Sequence, residues 1–474
     1  MGANKSASGA HWAVMALALA LLVLSFSELL RIYVFGGSGS AGSRLAFLAL
    51  CPALLPFFSL REWALTLLAG LLTLGLLLRP DGWDAFLFAL DRAAFFAAFI
   101  FLVTLLKEAA QRSKSVLELG TYMTRQPQGR RYYSLAVGGH VMGVLLNFGA
   151  ISLLTPLIQR GARAMAAQSG QGPDHAKRQE QQQITALLRG FSWMIMWSPT
   201  ALTQAVLFTS FPGANAAVVI PLGVGASVVM VLIGRVLDRR IGRLSRAMPQ
   251  ADPPAFPKPA ALRFGSICIL LIVSTFTMLV YASVSAAVAL MLVAPIVMIA
   301  WIFGQNRVAD RDRALAATLA NLHEIFIRSA KDPARSAYLL GAAGFIGVAA
   351  AKLAPVAEVA AQLNISAIPV WVFLTSLPIL ITLGGQIALS PIMMVVFLSA
   401  VINELPALPA DPNLIVYALG AGWALSMSAS PNASATLLIS AITKIPPTTL
   451  TWRWNGAYSL VCFAVFTLSF YALS

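Results

Sequence analysis

Apolar residues fall in runs at about 12–34, 45–60, 63–78, 84–106, 134–158, 187–210, 216–234, 264–282, 284–303, 337–355, 369–402, 413–440 and 455–472, with polar residues gathered between them. Several runs exceed the roughly 20 residues needed to cross about 30 Å of hydrocarbon. No long polar segment remains that could fold as a soluble domain. The pattern predicts an all-α polytopic membrane protein, with the lipid bilayer as its solvent.

Two runs do not behave as simple crossings. If every run crossed once, the basic loop 107–133 would face the side opposite to loops 159–188 and 235–263, against the tendency of Lys and Arg to stay cytoplasmic. Reading 134–158 and 369–402 as re-entrant hairpins resolves this. The chain then has about eleven transmembrane helices, with the N-terminus cytoplasmic and the C-terminus periplasmic in a bacterial-type inner membrane. All but five of the 33 Lys and Arg residues, namely Arg31, Arg44, Arg79, Arg92 and Lys352, fall on the inner side.

Composition agrees: 58% of the 474 residues are apolar, 11% are charged, and mean hydropathy is +0.79. The formal charge of +15 does not point to nucleic acid, because the bases lie in short loops rather than on one face. Cys51, Cys268 and Cys462 each sit in an apolar run and read as free thiols. The first run is too long for a signal-peptide core and reads as a retained helix.

The two halves repeat one another. Asn147-Phe148-Gly149-Ala150 precedes Thr155-Pro156, as Thr382-Leu383-Gly384-Gly385 precedes Ser390-Pro391. In the next run, Ser198-Pro199-Thr200-Ala201 matches Ser430-Pro431-Asn432-Ala433, the two prolines standing 232 positions apart. Five spans separate the hairpins, so the copies are expected in opposite orientations, as an inverted-topology repeat. The expected organisation is an N-terminal helix over 1–42, a first repeat over 43–246, a cytoplasmic linker over 247–263 and a second repeat over 264–474. The basic stretches Lys107 to Arg131 and Arg307 to Arg335 read as interfacial helices.

Non-helical backbone at membrane depth survives only inside protein or beside a watery cavity, so these breaks mark a candidate site. Each proline removes a donor and frees a carbonyl. Candidate solute-binding residues are Asn147, Gly149, Ser198, Thr200, Gly385, Gln386, Ser430 and Asn432. Candidate ion-coupling residues are Ser152, Thr155, Thr382, Gly384, Ser428 and Ser434, whose oxygens suit Na⁺ while half-helix N-termini suit an anion. The alternative for any one of them is helix kinking and packing. Asp91 and Arg92 point about 100° apart on one helix, so each is expected to pair with another helix; a proton or solute role is the alternative. His140 can titrate near neutral pH or serve as a hydrogen-bonded packing group. Trp193, Trp197, Trp371 and Trp423 flank the site, as an aromatic wall or as core.

This arrangement of spans, hairpins and broken helices over about residues 43–474 resembles the ion transporter superfamily, which includes divalent anion/sodium symporters, arsenite-pump-type permeases and certain sodium/proton antiporters. The Ser-Asn-Thr triplet at the hairpin tips of its dicarboxylate branch is replaced here by Asn147-Phe148-Gly149 and Gly384-Gly385-Gln386. The resemblance implies a secondary transporter working as a homodimer, and the oxygen-rich breaks add the expectation of a small polar or anionic solute and of coupling to Na⁺ or H⁺, with no other cofactor. No Walker-type loop suggests an ATPase. A cation or oxyanion efflux antiporter is the nearest rival reading, and a membrane-embedded lipid or glycan transferase is the rival from another class.

Overall fold

The computed structural model describes residues 2–37, 41–168, 173–242, 255–282, 284–328, 330–362, 367–387 and 389–474. Among these the regular structure is helical throughout. The first half comprises α1 (Gly2–Tyr33), α2 (Ala41–Leu54), α3 (Leu60–Leu77), α4 (Gly82–Gln111), α5 (Lys114–Thr124), α6 (Gln128–Leu146), α7 (Phe148–Gln168), α8 (Pro173–Met194), α9 (Leu202–Ser210) and α10 (Ala216–Gly242). The second comprises α11 (Lys258–Tyr281), α12 (Ala286–Ala309), α13 (Ala314–His323), α14 (Lys331–Leu353), α15 (Val356–Gln362), α16 (Val370–Gln386), α17 (Pro391–Asn403), α18 (Pro412–Ala429), α19 (Ser434–Thr443) and α20 (Trp454–Leu473). Among the described residues, nine helical stretches are long and apolar enough to cross a membrane. The chain is a multi-pass membrane protein. The remaining two expected spans are the short apolar α2 and the interrupted pair α8 and α9, whose polar start dilutes its hydropathy. Much of the linker expected over 247–263 lies outside the described residues; α11 begins within it, at Lys258.

The chain forms two compact units, each drawn from both halves. One comprises 1–109, 270–363 and 396–406. Its core is the Ala- and Phe-rich face of α4 and the small-residue face of α14, where Gly341 and Gly344 admit the rings of Phe47 and Phe96. Small residues let helices approach closely in lipid, where dispersion contacts carry much of the association. Several charged side chains in this unit have partners on other elements, which offsets the high cost of placing them at membrane depth. Arg44 meets Asp91 with two bonds of 2.6 and 2.7 Å, fulfilling the expectation that Asp91 reaches another helix. Arg92, also expected to pair with another helix, instead lies over the ring of Phe88 in its own helix α4, at 5.3 Å. Glu62, in a capping box at the start of α3, receives Arg335 of α14 at 2.6 and 2.9 Å. Lys352 pairs with Glu404 at 2.7 Å.

The other unit comprises 110–269, 364–395 and 407–474, and contains both hairpin tips and both helix breaks. Its main packing sets α6 against α8 and, in the second half, α16 against α18. Gly190 and Gly422, also 232 positions apart, lie in these two seams: a β-carbon at Gly190 would overlap the Ala136 carbonyl, and one at Gly422 would stand 2.6 Å from Ile381 Cδ1 and 2.9 Å from Pro378 Cα. Further packing of α19 on α7 and of α18 on α8 and α9 interlocks the two sets.

Candidate functional site

The first tip is the single residue Asn147 between α6 and α7, held at φ 49° and ψ −131° with its N–H on Gly143 O at 2.8 Å. A non-glycine residue there is in a sparsely populated region, the kind of local strain that collects at ligand sites. Gly149 is buried in the first turn of α7. Ser152 spends its hydroxyl on Phe148 O, 3.2 Å away in its own helix. Thr155 is fully buried, and its hydroxyl has no hydrogen-bond partner among the described residues.

Helix α8 stops at Met194 and α9 starts at Leu202, because Pro199 cannot donate and disfavours helical backbone at Ser198 before it. The intervening backbone is held by side chains. Thr200 donates to Val144 O of α6 and shares a 2.8 Å bond with Ser198 Oγ. Gln204 reaches back nine residues to Ile195 O at 3.1 Å and also holds Met196 O at 2.6 Å. The Trp197 indole donates to His140 Nε2 at 2.9 Å.

The second break is built alike. Helix α18 ends at Ala429 and α19 starts at Ser434, and Thr436 reaches back nine residues to Met427 O at 2.9 Å. Thr436 stands 232 positions after Gln204, so two different side chains do the same work at the same place in each half. The break is clasped to the second tip: Ser430 and Asn432 both donate to Gly385 O, at 2.7 and 2.9 Å, and Asn432 also reaches Gln386 O at 3.3 Å. Gln386 donates to Thr382 O and Ala429 O at 3.3 and 3.2 Å. Gly384 O closes the tip by accepting from Ile387 N and Leu389 N. Thr382 Oγ1 is buried without a partner among the described residues, Ser428 bonds Leu425 O at 3.1 Å, and Ser434 is exposed.

Trp197 touches a break directly, whereas Trp193 and Trp423 are buried in the core and Trp371 packs on Tyr471. The aromatic residue at the second tip is instead Trp452, 59% exposed, whose indole donates to Gln386 Oε1 at 3.0 Å. It lies in a π-helical turn, Thr449–Arg453, before α20, and no spacing signal in the sequence marks that turn.

Converting both clasp donors with the double variant S430A/N432A leaves Gly385 O without either side-chain partner. The expected cost is about 1–3 kcal/mol. It should register as faster amide exchange over 384–389 with the rest of the protein unchanged; unaltered exchange there would show that the clasp does not hold the tip.

Paired helix breaks, each stitched to a hairpin tip, thus lie together in one unit of a polytopic helical protein. No family model matches the chain, and no curated protein matches it. Among solved structures, the chain resembles the Alcanivorax borkumensis YdaH transporter, described as having an unusual topology, with a TM-score of 0.56 at 16% identity over 90% of this chain and 97% of that one. It also resembles Neisseria gonorrhoeae MtrF, described as one of a class of antimetabolite efflux pumps, with a TM-score of 0.53 at 13% identity over 87% of this chain and 94% of that one. The chain has the fold of these transporters.

Proposed function

We propose that this protein is a secondary active transporter that carries a small polar or anionic solute across a bacterial-type inner membrane by alternating access, coupled to Na⁺ or H⁺. The observation that carries this reading is the matched pair of helix breaks, each with a nine-residue reach-back bond and each tied to its own hairpin. The five intervening spans support opposite orientation of the two copies, an inverted repeat like that of the ion transporter superfamily. Support for an anion comes from α9 and α19, whose N-termini are preceded by Ala201 and Ala433 and lack a side-chain cap. Uncapped N–H groups at a helix start favour negative charge. Support for a coupling cation comes from Thr155 Oγ1 and Thr382 Oγ1, both buried oxygens without a partner. The N-terminus would be cytoplasmic and the assembly a homodimer. Export is the second direction to test, favoured by the likeness to MtrF.

The test is a thermal-shift panel on detergent-purified protein with carboxylates, inorganic oxyanions and amino acids, each with and without Na⁺ at two pH values. A bound solute at 100 times its Kd should stabilise the fold by about 2.7 kcal/mol. Stabilisation by at least one solute is expected; silence across the panel from folded protein would count against a solute site.

A further inference from the structure

His140, in α6, has both ring nitrogens on α8 and the break that follows it. Nδ1 lies 2.9 Å from Gly190 O, and Nε2 lies 2.9 Å from the Trp197 indole nitrogen. A carbonyl oxygen only accepts and an indole N–H only donates, so Nδ1 carries the hydrogen and Nε2 is the acceptor. The partners therefore specify the neutral ring in one tautomer. The two rings also stack, with centroids 5.6 Å apart and planes 25° from parallel.

Among the residues whose side chains are described, charged groups on the elements around α6 are engaged elsewhere or turned to the surface. Arg189 of α8 is held by Asn455, Gly234 O and Trp454 O, and Glu180 by Gln159. Arg235 and Asp238 of α10 pair with one another at 3.1 Å. Arg160 and Arg163 of α7, Lys114 and Glu118 of α5, and Asp174 and Lys177 at the start of α8 are exposed, as is Arg178. On α6 itself, Arg130 is exposed and Arg131 donates to Gln126 O.

We propose that His140 is the residue that takes up the coupling proton, an inference that rests on the transport reading above. A proton from water adds to Nε2 and turns it from acceptor to donor. Nε2–H then faces the Trp197 N–H, and that bond is lost. Trp197 immediately precedes Ser198 and Pro199, and among the described residues the break has, besides this bond, one other side-chain tie to α6, from Thr200 to Val144 O. Protonation thus releases one of the two stitches that hold the first break against the hairpin, and loss of the proton restores it. His140 acts through Trp197 on the residues that would meet solute, which makes it a positioning residue.

The test is amide exchange by mass spectrometry on the full-length purified protein, corrected for intrinsic exchange rates, at pH about 5.5 and about 8, on either side of the histidine range. It needs no solute. In the unsubstituted protein the segment 193–204 should exchange roughly three- to tenfold faster at the lower pH, the equivalent of one net hydrogen bond. H140Q keeps an acceptor for the indole but cannot titrate, so it should exchange slowly at both values. W197F has no donor and should exchange fast at both. A pH response that survives in H140Q, or its absence from the unsubstituted protein, overturns the assignment. The solute panel separates this from the parent reading. If a solute stabilises the protein but the break ignores pH, transport stands and His140 is excluded. If a solute stabilises it and the break responds, solute affinity should depend on pH in the unsubstituted protein and lose that dependence in H140Q; equal dependence in both would overturn the coupling role.

Discussion

Replacing Gly190 by valine should leave no folded protein to purify, and even G190A should lower stability by about 3 kcal/mol or more, at the upper end of overpacking costs. The obstacle is backbone. A β-carbon at position 190 meets the Ala136 carbonyl of α6, and a main-chain atom inside a helix cannot move aside as a flexible side chain would. Relief requires α6 and α8 to separate, which breaks the His140 bond to Gly190 O and pulls on the bonds that tie Trp197 and Thr200, just beyond α8, to α6. The equivalent G422A should behave alike, because Pro378 Cα and Ile381 of α16 occupy the corresponding space. Gly225 is the control: nothing lies within 4 Å of a β-carbon there, and alanine in place of glycine inside a helix gains up to about 1 kcal/mol in propensity. G225A should therefore melt at or slightly above the unsubstituted protein. The measurement is thermal unfolding of detergent-extracted protein followed by size-exclusion chromatography. Equal behaviour of G190A and G225A would show that the α6 and α8 seam tolerates expansion.

These seams explain how far the sequence could be read. The breaks were legible because proline beside small polar residues recurs at matching places in the two halves, and Ser198-Pro199 and Ser430-Pro431 fall where the backbone stops being helical; proline alone is no such mark, since Pro156, Pro221, Pro295 and Pro378 lie inside helices. The hairpin tips were legible through glycine and asparagine between apolar arms, and through the charge asymmetry that a simple count of crossings violates. The bonds joining them were not. Gln204 and Thr436 share a role and a position but no side-chain chemistry, so residue-type matching passes over them. Trp452 reaches the second tip only because a π-helical turn precedes α20, and such a turn has no period to find in the sequence. Ser152 and Ser428 look like ligands by composition yet satisfy their own helices, as serine in a membrane helix readily does by bonding a carbonyl three or four residues back. Arg189 shows the largest gap. Charge counting groups it with the basic loop before the first broken run, whereas the residue is only 2% exposed, because α8 begins at Pro173 and carries its polar start into the fold.

Arg189 should be the most costly single side chain to remove from the unit that holds the tips. Its guanidinium donates to Asn455 Oδ1 at 2.9 Å, Gly234 O at 3.1 Å and Trp454 O at 3.2 Å, joining α8 to α10 and to the start of α20. It also lies 4.4 Å above the Tyr458 ring, and the Tyr458 hydroxyl accepts from the Trp193 indole at 2.5 Å while donating to Met230 O at 3.1 Å. Truncation to alanine takes the donor away from two buried acceptors, Asn455 Oδ1 and Gly234 O, and from the part-buried Trp454 O, and opens a void beside Tyr458. At about 1–3 kcal/mol for a stranded buried group, partly relieved by water, R189A should lose about 3–5 kcal/mol. Lysine places a compact ammonium where a planar fork spans three acceptors, so R189K should recover about one bond's worth and remain well below the unsubstituted protein. R189M fills the volume without donating and should fall near alanine. The order arginine, lysine, then methionine with alanine, read from unfolding midpoints, separates a network role from simple packing, for which methionine would approach arginine. Pairing R189A with N455A gives the second check. If the two act through one bond, the double variant should lose less than the sum of the singles by about 0.5–3 kcal/mol, the range for residues in contact. Full additivity would mean that the Arg189 bonds to the two backbone carbonyls carry the connection and that Asn455 is a bystander. In either case loss of Arg189 should loosen the α8 end that leads into the first break, so that exchange over 193–204 rises at every pH.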